Sequence, residues 1–263
     1  MAYLYETHMH TCQGSACGVS TGKEHARFYK EIGYTGIIVT DHFFRGNCAV
    51  DRSLPWKERV ELYCSGYEEA LAEGQKIGLD VFFGIEENHH GDEYLIYGLD
   101  KAYMLAHPEM EHWTRRQQLE EVHKAGGCVV QAHPFRFRSY MDCIRLAGDY
   151  IDGCEVANAG NKPWDDARAI RWGKTHGFAM TAGSDNHKSP NGELFGIELE
   201  ERLTDIHDLV KIIRERKPIG LHVPQERFMI GENTPKAEDL EPAWDLDAME
   251  ERVAAGKNWL YDV

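Results

Sequence analysis

The chain lacks a long apolar run. Nothing in its 263 residues approaches the roughly 18 uninterrupted apolar positions that a bilayer span requires, so a membrane partner is not expected. It also lacks a basic start. Met1-Ala2-Tyr3-Leu4-Tyr5-Glu6 has neither a cationic cluster nor an apolar stretch, which argues against a signal peptide. Cysteines are few and unpatterned: seven, an odd number without tight pairing, which excludes a disulfide framework and fits free thiols in a reducing, cytoplasmic setting. Basic charge is in deficit as well. Lys and Arg total 29 against 44 Asp and Glu, a net charge of −15, so the chain has no whole-molecule footprint for duplex nucleic acid. A small phosphorylated substrate stays compatible with that charge, because a metal cluster can reverse the local potential. There is no Gly-rich phosphate loop, no dinucleotide fingerprint and no Ser-His-Asp or Cys-His nucleophile signature. Internal repeats, low-complexity stretches and linkers are missing too.

What is present is an alternation of short β-branched or aromatic runs with longer amphipathic runs. That alternation is the mark of strand–helix units around a mostly parallel sheet, and the length suits a barrel. Strands are expected at Tyr3–Thr7, Gly36–Thr40, Val81–Ile85, Glu93–Gly98, Cys128–Ala132, Gly153–Ala157, Phe178–Ala182 and Leu194–Leu199. Helices are expected at Gly22–Ile32, Trp56–Ile77, Arg115–Ala125, Tyr140–Ala147, Asp165–His176 and Asp205–Arg216. Thr21 and Glu24 have the spacing of a capping box, and Gly33, Gly78 and Gly177 follow helices as C-terminal caps do. The short Glu87–Asp92 connection, with its Gly91-Asp92, reads as a hairpin and makes one strand pair antiparallel. The domain is expected to span residues 1–225. Residues 226–263 are read as a C-terminal appendage with one helix at Asp247–Gly256.

The histidines and carboxylates fall at the ends of the expected strands. His8 and His10 end the first strand, Asp41 and His42 the second, Glu86 the third and His133 a later one, while Asp185 and His187 follow Met180–Ser184. His8-x-His10 puts two imidazoles on one side of an extended strand, because side chains alternate with period two. Each piece alone is weak evidence, since an isolated His-x-His is most often a polar edge pair. In a barrel, however, the C-terminal strand ends form one face, so these groups are expected to converge. Imidazoles and carboxylates without a cysteine pair favour zinc, manganese or iron over a structural thiolate site. The candidates are too many for one ion. Two or three divalent metals, a pair of them bridged by a carboxylate, fit better and form the standard arrangement for phosphoester hydrolysis.

His8-x-His10-Thr11, Thr40-Asp41-His42, Gly84-Ile85-Glu86, Ala132-His133-Pro134 and Gly183-Ser184-Asp185-x-His187 resemble, in order, the successive motifs of the PHP family, the polymerase and histidinol phosphatase domains. The resemblance covers residues 5 to 200. It implies a distorted TIM-like barrel of about seven strand–helix units, with the metal site at the C-terminal strand ends. It also implies histidinol-phosphatase-like phosphoesterase chemistry by a metal-bound hydroxide, with Asp185, His187 and Glu86 in catalytic roles. His8, His10, Glu86 and Asp185 would hold a first metal, Glu86 and His133 a second, and His42 and His187 a third. Asp41 would orient its neighbours.

Two departures stand out. Where the family carries a His or Asp after the first His-x-His, this chain has Cys12–Gly18, so either Cys17 substitutes or the third site is weak. Where the family carries a His after the bridging Glu, the nearest ligand-capable residue here is Glu93, with Asp100 the other option. His89 and His90 are read as exposed turn residues. Arg136 and Arg138 are the candidates for contacting a substrate phosphate, with Lys188 a weaker one, and Asn158, at a strand end, lines the pocket. Two other functions stay open: amide or ester hydrolysis of the amidohydrolase type, and a non-catalytic, metal-stabilised partner domain. The sequence does not indicate an oligomeric state.

Overall fold

The computed structural model describes residues 2–139, 141 and 144–228. The expected helix at Asp247–Gly256 and nearly all of the appendage lie outside them. The described chain is an α/β fold built on one sheet of nine strands: β1 (Tyr3–Met9), β2 (Gly36–Val39), β3 (Asp80–His89), β4 (Asp92–Tyr97), β5 (Cys128–Gln131), β6 (Gly153–Asn158), β7 (Ala179–Gly183), β8 (Gly196–Leu199) and β9 (Gly220–His222). The spatial order is β7-β6-β5-β4-β3-β2-β1-β8-β9. All eight expected strands are present. β9 was not expected, because three half-exposed residues carry no apolar pattern to read.

The sheet curls into a nearly closed barrel. β1 pairs with β8 only through Tyr3, Leu4 and Tyr5. Beyond that it turns toward the chain that leaves β7: Thr7 Oγ1 donates to the Ala182 carbonyl at 2.9 Å, and the His10 amide donates to the Asn186 carbonyl at 2.9 Å. The ring therefore closes at His8 and His10. β2, β5 and β6 are buried along their whole lengths, as expected of strands with both faces covered.

β4 is the strand that breaks the parallel pattern. It pairs antiparallel with both β3 and β5. The expected hairpin forms, with its turn narrowed to His90 and Gly91, at φ 57° and 96°, because the strands run on into the Glu87–Asp92 connection. Because β4 runs backwards, its first residues lie beside the last residues of its neighbours. That reversal carries Glu93 to the end of the barrel where the other candidate ligands sit.

The helices are α1 (Gly22–Glu31), α2 (Trp56–Ile77), α3 (Lys101–Ala106), α4 (Arg115–Lys124), α5 (Pro163–His176) and α6 (Ile206–Arg214). The Thr21–Glu24 capping box forms, and Gly78 and Gly177 end their helices in the left-handed region. α3 was not expected; Asp100 caps it by accepting from the Tyr103 amide at 2.7 Å. The helix expected at Tyr140–Ala147 is not observed: residues 144–147 are irregular, and positions 140, 142 and 143 lie outside the described residues. No helix among the described residues is long and apolar enough to cross a membrane.

Candidate metal centre

The barrel gathers side chains far apart in sequence. His8 and His10 leave the end of β1, His42 follows β2, and Glu86 lies in β3 beside His42. Glu93 enters from the start of β4, His133 follows β5, and Asp185 and His187 follow β7. Four overlapping groups form: His8–His10–Asp185, His8–Glu86–His133, His42–Glu86–Glu93 and His10–His42–His187, each with its ligand atoms within 4.8 Å of one another. Every residue expected to bind metal belongs to at least one.

Glu86 is the hub. His8 Nε2 stands 3.0 Å from Oε1 and His133 Nε2 3.3 Å from Oε1, while His42 Nδ1 stands 2.6 Å and His10 Nε2 3.5 Å from Oε2. Asp185 Oδ1 lies 3.0 Å from His10 Nε2 and 3.6 Å from His8 Nε2. Glu93 faces His133 at 3.3 Å and His42 at 3.7 Å. The rings of His42 and His187 each stack against His10 at 4.3 Å. His133 and Asp185 hold φ of 27° and 52°, a region that residues other than glycine seldom occupy. Such strain concentrates at functional sites.

These atoms crowd together without satisfying one another. His8 Nε2, His10 Nε2, His42 Nδ1 and Glu86 Oε2 are buried and make no hydrogen bond of acceptable geometry. A buried unpaired polar atom costs about 1–3 kcal/mol, so several sharing one spot point to a missing partner. Nitrogen and carboxylate donors at this density suit zinc, manganese or iron. The donor set therefore fits divalent metal.

A second layer of residues orients the first. Glu155, in the middle of β6 and wholly buried, accepts from His8 Nδ1 at 3.0 Å and from the His133 amide at 2.9 Å. Ser15 Oγ lies 3.1 Å from His10 Nδ1, donates to Asp41 Oδ1 at 2.7 Å and accepts from the His42 amide at 2.9 Å. Asp41 also accepts from the Thr11 amide and hydroxyl, both at 2.6 Å, so its carboxylate is occupied in holding the loop after β1. Metal-binding histidines characteristically have such partners on the second ring nitrogen. Glu155 was not singled out in the sequence. The signal was available: a carboxylate in an otherwise apolar strand buried on both faces has to have a partner.

Burial would raise the Glu86 carboxyl, but the charges of His42 and His8 and a hydrogen bond from His133 hold it well below the usual range. Asp185 is likewise held down against burial, by Arg136 and His8. Burial and the neighbouring Glu86 charge raise Glu93. Burial also opposes ionisation of the Cys17 thiol, yet the neighbouring His187 and His42 bring it down to about 6.

Arg136 is buried, and three of its five N–H donors are taken up within the protein. They reach Asp185 Oδ2 at 2.5 Å, Asn158 Oδ1 at 2.5 Å and Asn161 Oδ1 at 2.6 Å. Asn158 in turn donates to Glu155 Oε2 at 2.9 Å. Arg136 and Asn158 thus fix Asp185 and Glu155. Arg138 and Lys188 are exposed. Asp100 caps α3 and lines a separate cavity of about 410 Å³, so Glu93 alone of the two alternatives joins the cluster. His90 is exposed in the turn as expected, but His89 is not. It is buried, with Nε2 2.9 Å from Gln118 Oε1 and 3.2 Å from Arg45 Nη2, because the hairpin register turns it inward toward α4.

Solved structures similar in fold carry related descriptions. A two-domain protein of Bacteroides vulgatus containing a predicted PHP-like metal-dependent phosphoesterase superposes with a TM-score of 0.62 at 16% identity. The match covers 85% of this chain, which spans 65% of that protein's length. A Bifidobacterium adolescentis protein inferred to be a metal-dependent phosphoesterase gives a TM-score of 0.53 at 18% identity, covering 81% of this chain and 96% of that one. An amidohydrolase of Chromobacterium violaceum, with bound sulfate and no metal, gives 0.53 at 16% identity, covering 82% and 96%. The likeness is one of fold. No family model and no curated protein matches the chain.

Proposed function

We propose that this protein is a metal-dependent hydrolase that cleaves phosphomonoesters or small phosphodiesters. The observation that carries the proposal is Glu86, a buried carboxylate whose oxygens face four imidazoles at 2.6 to 3.5 Å. In this assignment His8, His10, Glu86 and Asp185 hold one ion, and Glu86, His133 and Glu93 a second. His42 and His187 belong to a third. Bound divalent ions would supply Lewis acidity toward phosphoryl oxygens and a nucleophile drawn from water at neutral pH.

The chain's own residues do the positioning. Glu155 fixes the ring of His8, Ser15 that of His10, and Arg136 the carboxylate of Asp185. His187, with 28% of its side chain exposed against 10% for His42 and none for His8 and His10, marks the side from which substrate enters. Two or three divalent ions would add positive charge beside Glu86, Glu93 and Asp185, which couples anion binding to metal loading. The acidic surface favours a small phosphorylated substrate over duplex nucleic acid.

The amidohydrolase among the structures of similar fold gives amide or ester hydrolysis a claim on the same scaffold. A panel of aryl phosphates, a bis-aryl phosphate and aryl esters, offered to protein loaded with zinc, manganese or iron, separates the two. Phosphate ester cleavage that disappears in Asp185→Ala is the expected result. Cleavage of aryl esters alone would favour amidohydrolase chemistry, and metal binding without hydrolysis would favour a non-catalytic domain.

A further inference from the structure

The short turn Gln225–Phe228 packs against α5 and brings Arg227 to the loop that follows β6. Only 11% of the Arg227 side chain is exposed. Its Nε donates to Asp166 Oδ2 at 2.7 Å, and its Nη2 donates to the carbonyls of Asn158, at 3.1 Å, and of Asn161. Asp166 is wholly buried in the first turn of α5. Its other oxygen accepts from Asn161 Nδ2 at 2.7 Å and from the Asn158 amide at 3.3 Å. Arg227 and Asp166 together therefore hold residues 158–161.

The same loop holds Arg136. Asn158 Oδ1 and Asn161 Oδ1 accept from two of its nitrogens, and the third reaches Asp185 Oδ2. A Cβ on Gly160 would lie 3.0 Å from Arg136 Nη2, so the loop fits closely on that guanidinium. Asn158 also donates to Glu155, the carboxylate behind His8. An unbroken run of hydrogen bonds leads from Arg227, through Asn158 and Asn161, to Arg136 and Asp185. Its links are charged groups and buried amides, for which a lost partner is costly.

We propose that Arg227 is a positioning residue for the metal centre: it sets the loop that holds Arg136 and, through Arg136, the carboxylate of Asp185. The inference rests on the cluster being a metal centre. It adds that the chain just beyond residue 225, read from the sequence as an appendage, is a working part of the site. Two features separate this from ordinary packing. Of the hydrogen-bond partners of the Arg227 side chain, only Glu193, at 3.4 Å, lies outside Asp166 and the loop. The guanidinium also suits the task, because its planar fork meets a carboxylate and two carbonyls at once, whereas an ammonium acts as a point charge.

The test is a double-mutant cycle on zinc affinity, measured on the full-length protein by competition with a chromophoric chelator. Arg227→Met is expected to weaken zinc binding about tenfold, the lower end of the cost of losing an outer partner of a ligand. Arg136→Met is expected to weaken it at least as much. In the double variant, Arg227→Met is expected to add less than about a further twofold, because residues acting through one network are not additive. Arg227→Lys, which keeps the charge beside Asp166 but loses the fork, is expected to fall between wild type and Arg227→Met. A purely structural role would lower the denaturation midpoint and leave the zinc affinity of the folded protein unchanged. Unchanged affinity in Arg227→Met, or its full loss repeated on top of Arg136→Met, would overturn the inference and leave the metal centre standing. A wild-type protein that binds no zinc would overturn the centre itself, and with it this inference. Should circular dichroism show Arg227→Met to be unfolded, the cycle is run with Arg227→Lys under the same criteria.

Discussion

At the scale of single residues, the site is a set of candidate donors held by hydrogen-bonded partners behind them. Glu155 is the clearest. Its carboxylate fixes which nitrogen of His8 faces Glu86, and it also holds the backbone of His133, whose φ of 27° needs such support. Replacing a partner of this kind costs about ten- to a hundredfold in metal affinity. Glu155→Gln keeps the volume and the bond to the His133 amide but removes the charge facing His8. It is expected to weaken zinc binding by that factor with the fold intact, as measured by competition with a chromophoric chelator. Unchanged affinity would show that His8 needs no such partner. Seven of the eight candidate ligands were legible in the sequence because each stood at or just after an apparent strand end, and Glu93 was legible only through the family resemblance. Glu155 and Ser15 were not, because their roles depend on contacts across strands rather than on any local pattern. Ser15 reads as a loop serine until the fold brings Asp41 and His42 against it. His89 failed for the opposite reason: its place in a turn suggested exposure, and the register buried it.

At the scale of elements, the centre exists because strand ends meet. One close meeting is between β1 and β7. A Cβ on Gly183 would fall 2.5 Å from the Cβ of His8 and 2.7 Å from Glu155 Oε1. Gly183→Ala therefore has to push His8 or Glu155 aside. Overpacking of this kind costs roughly 1–3 kcal/mol, and here it also displaces a ligand. Denaturant melts should show that loss together with weakened metal binding, whereas Gly192→Ala, with no atom within 4 Å of its Cβ, should stay within about 0.5 kcal/mol of wild type. Equal behaviour of the two variants would mean that the β1–β7 approach does not position the site. Eight strands were legible as short β-branched or aromatic runs, parallel and antiparallel alike. The hairpin was legible from Gly91-Asp92, and from it follows the reversed β4 that delivers Glu93. The irregular stretch at 144–147 was misread as helix, since Ile144, Leu146 and Ala147 look the same whether the chain winds or merely packs.

At the scale of the whole molecule, the barrel brings acidic and imidazole groups from across 180 residues into one buried cluster on a chain of net charge −15. The expected barrel follows from the alternation of strands and helices, and the convergence at one end follows from the barrel. Substrate identity does not follow from either, because a fold is shared by many chemistries and specificity resides in loops around the site. In the proposed function, divalent metal is what lets a centre with three carboxylates receive an anionic substrate. The most direct test is therefore stepwise addition of zinc or manganese to the chelated protein while phosphate release from an aryl phosphate is followed. Phosphate release is expected to be absent without metal, to rise with each equivalent and to level off at two to three. Hydrolysis that ignores chelation, or no phosphate release at any loading, would contradict the proposed function.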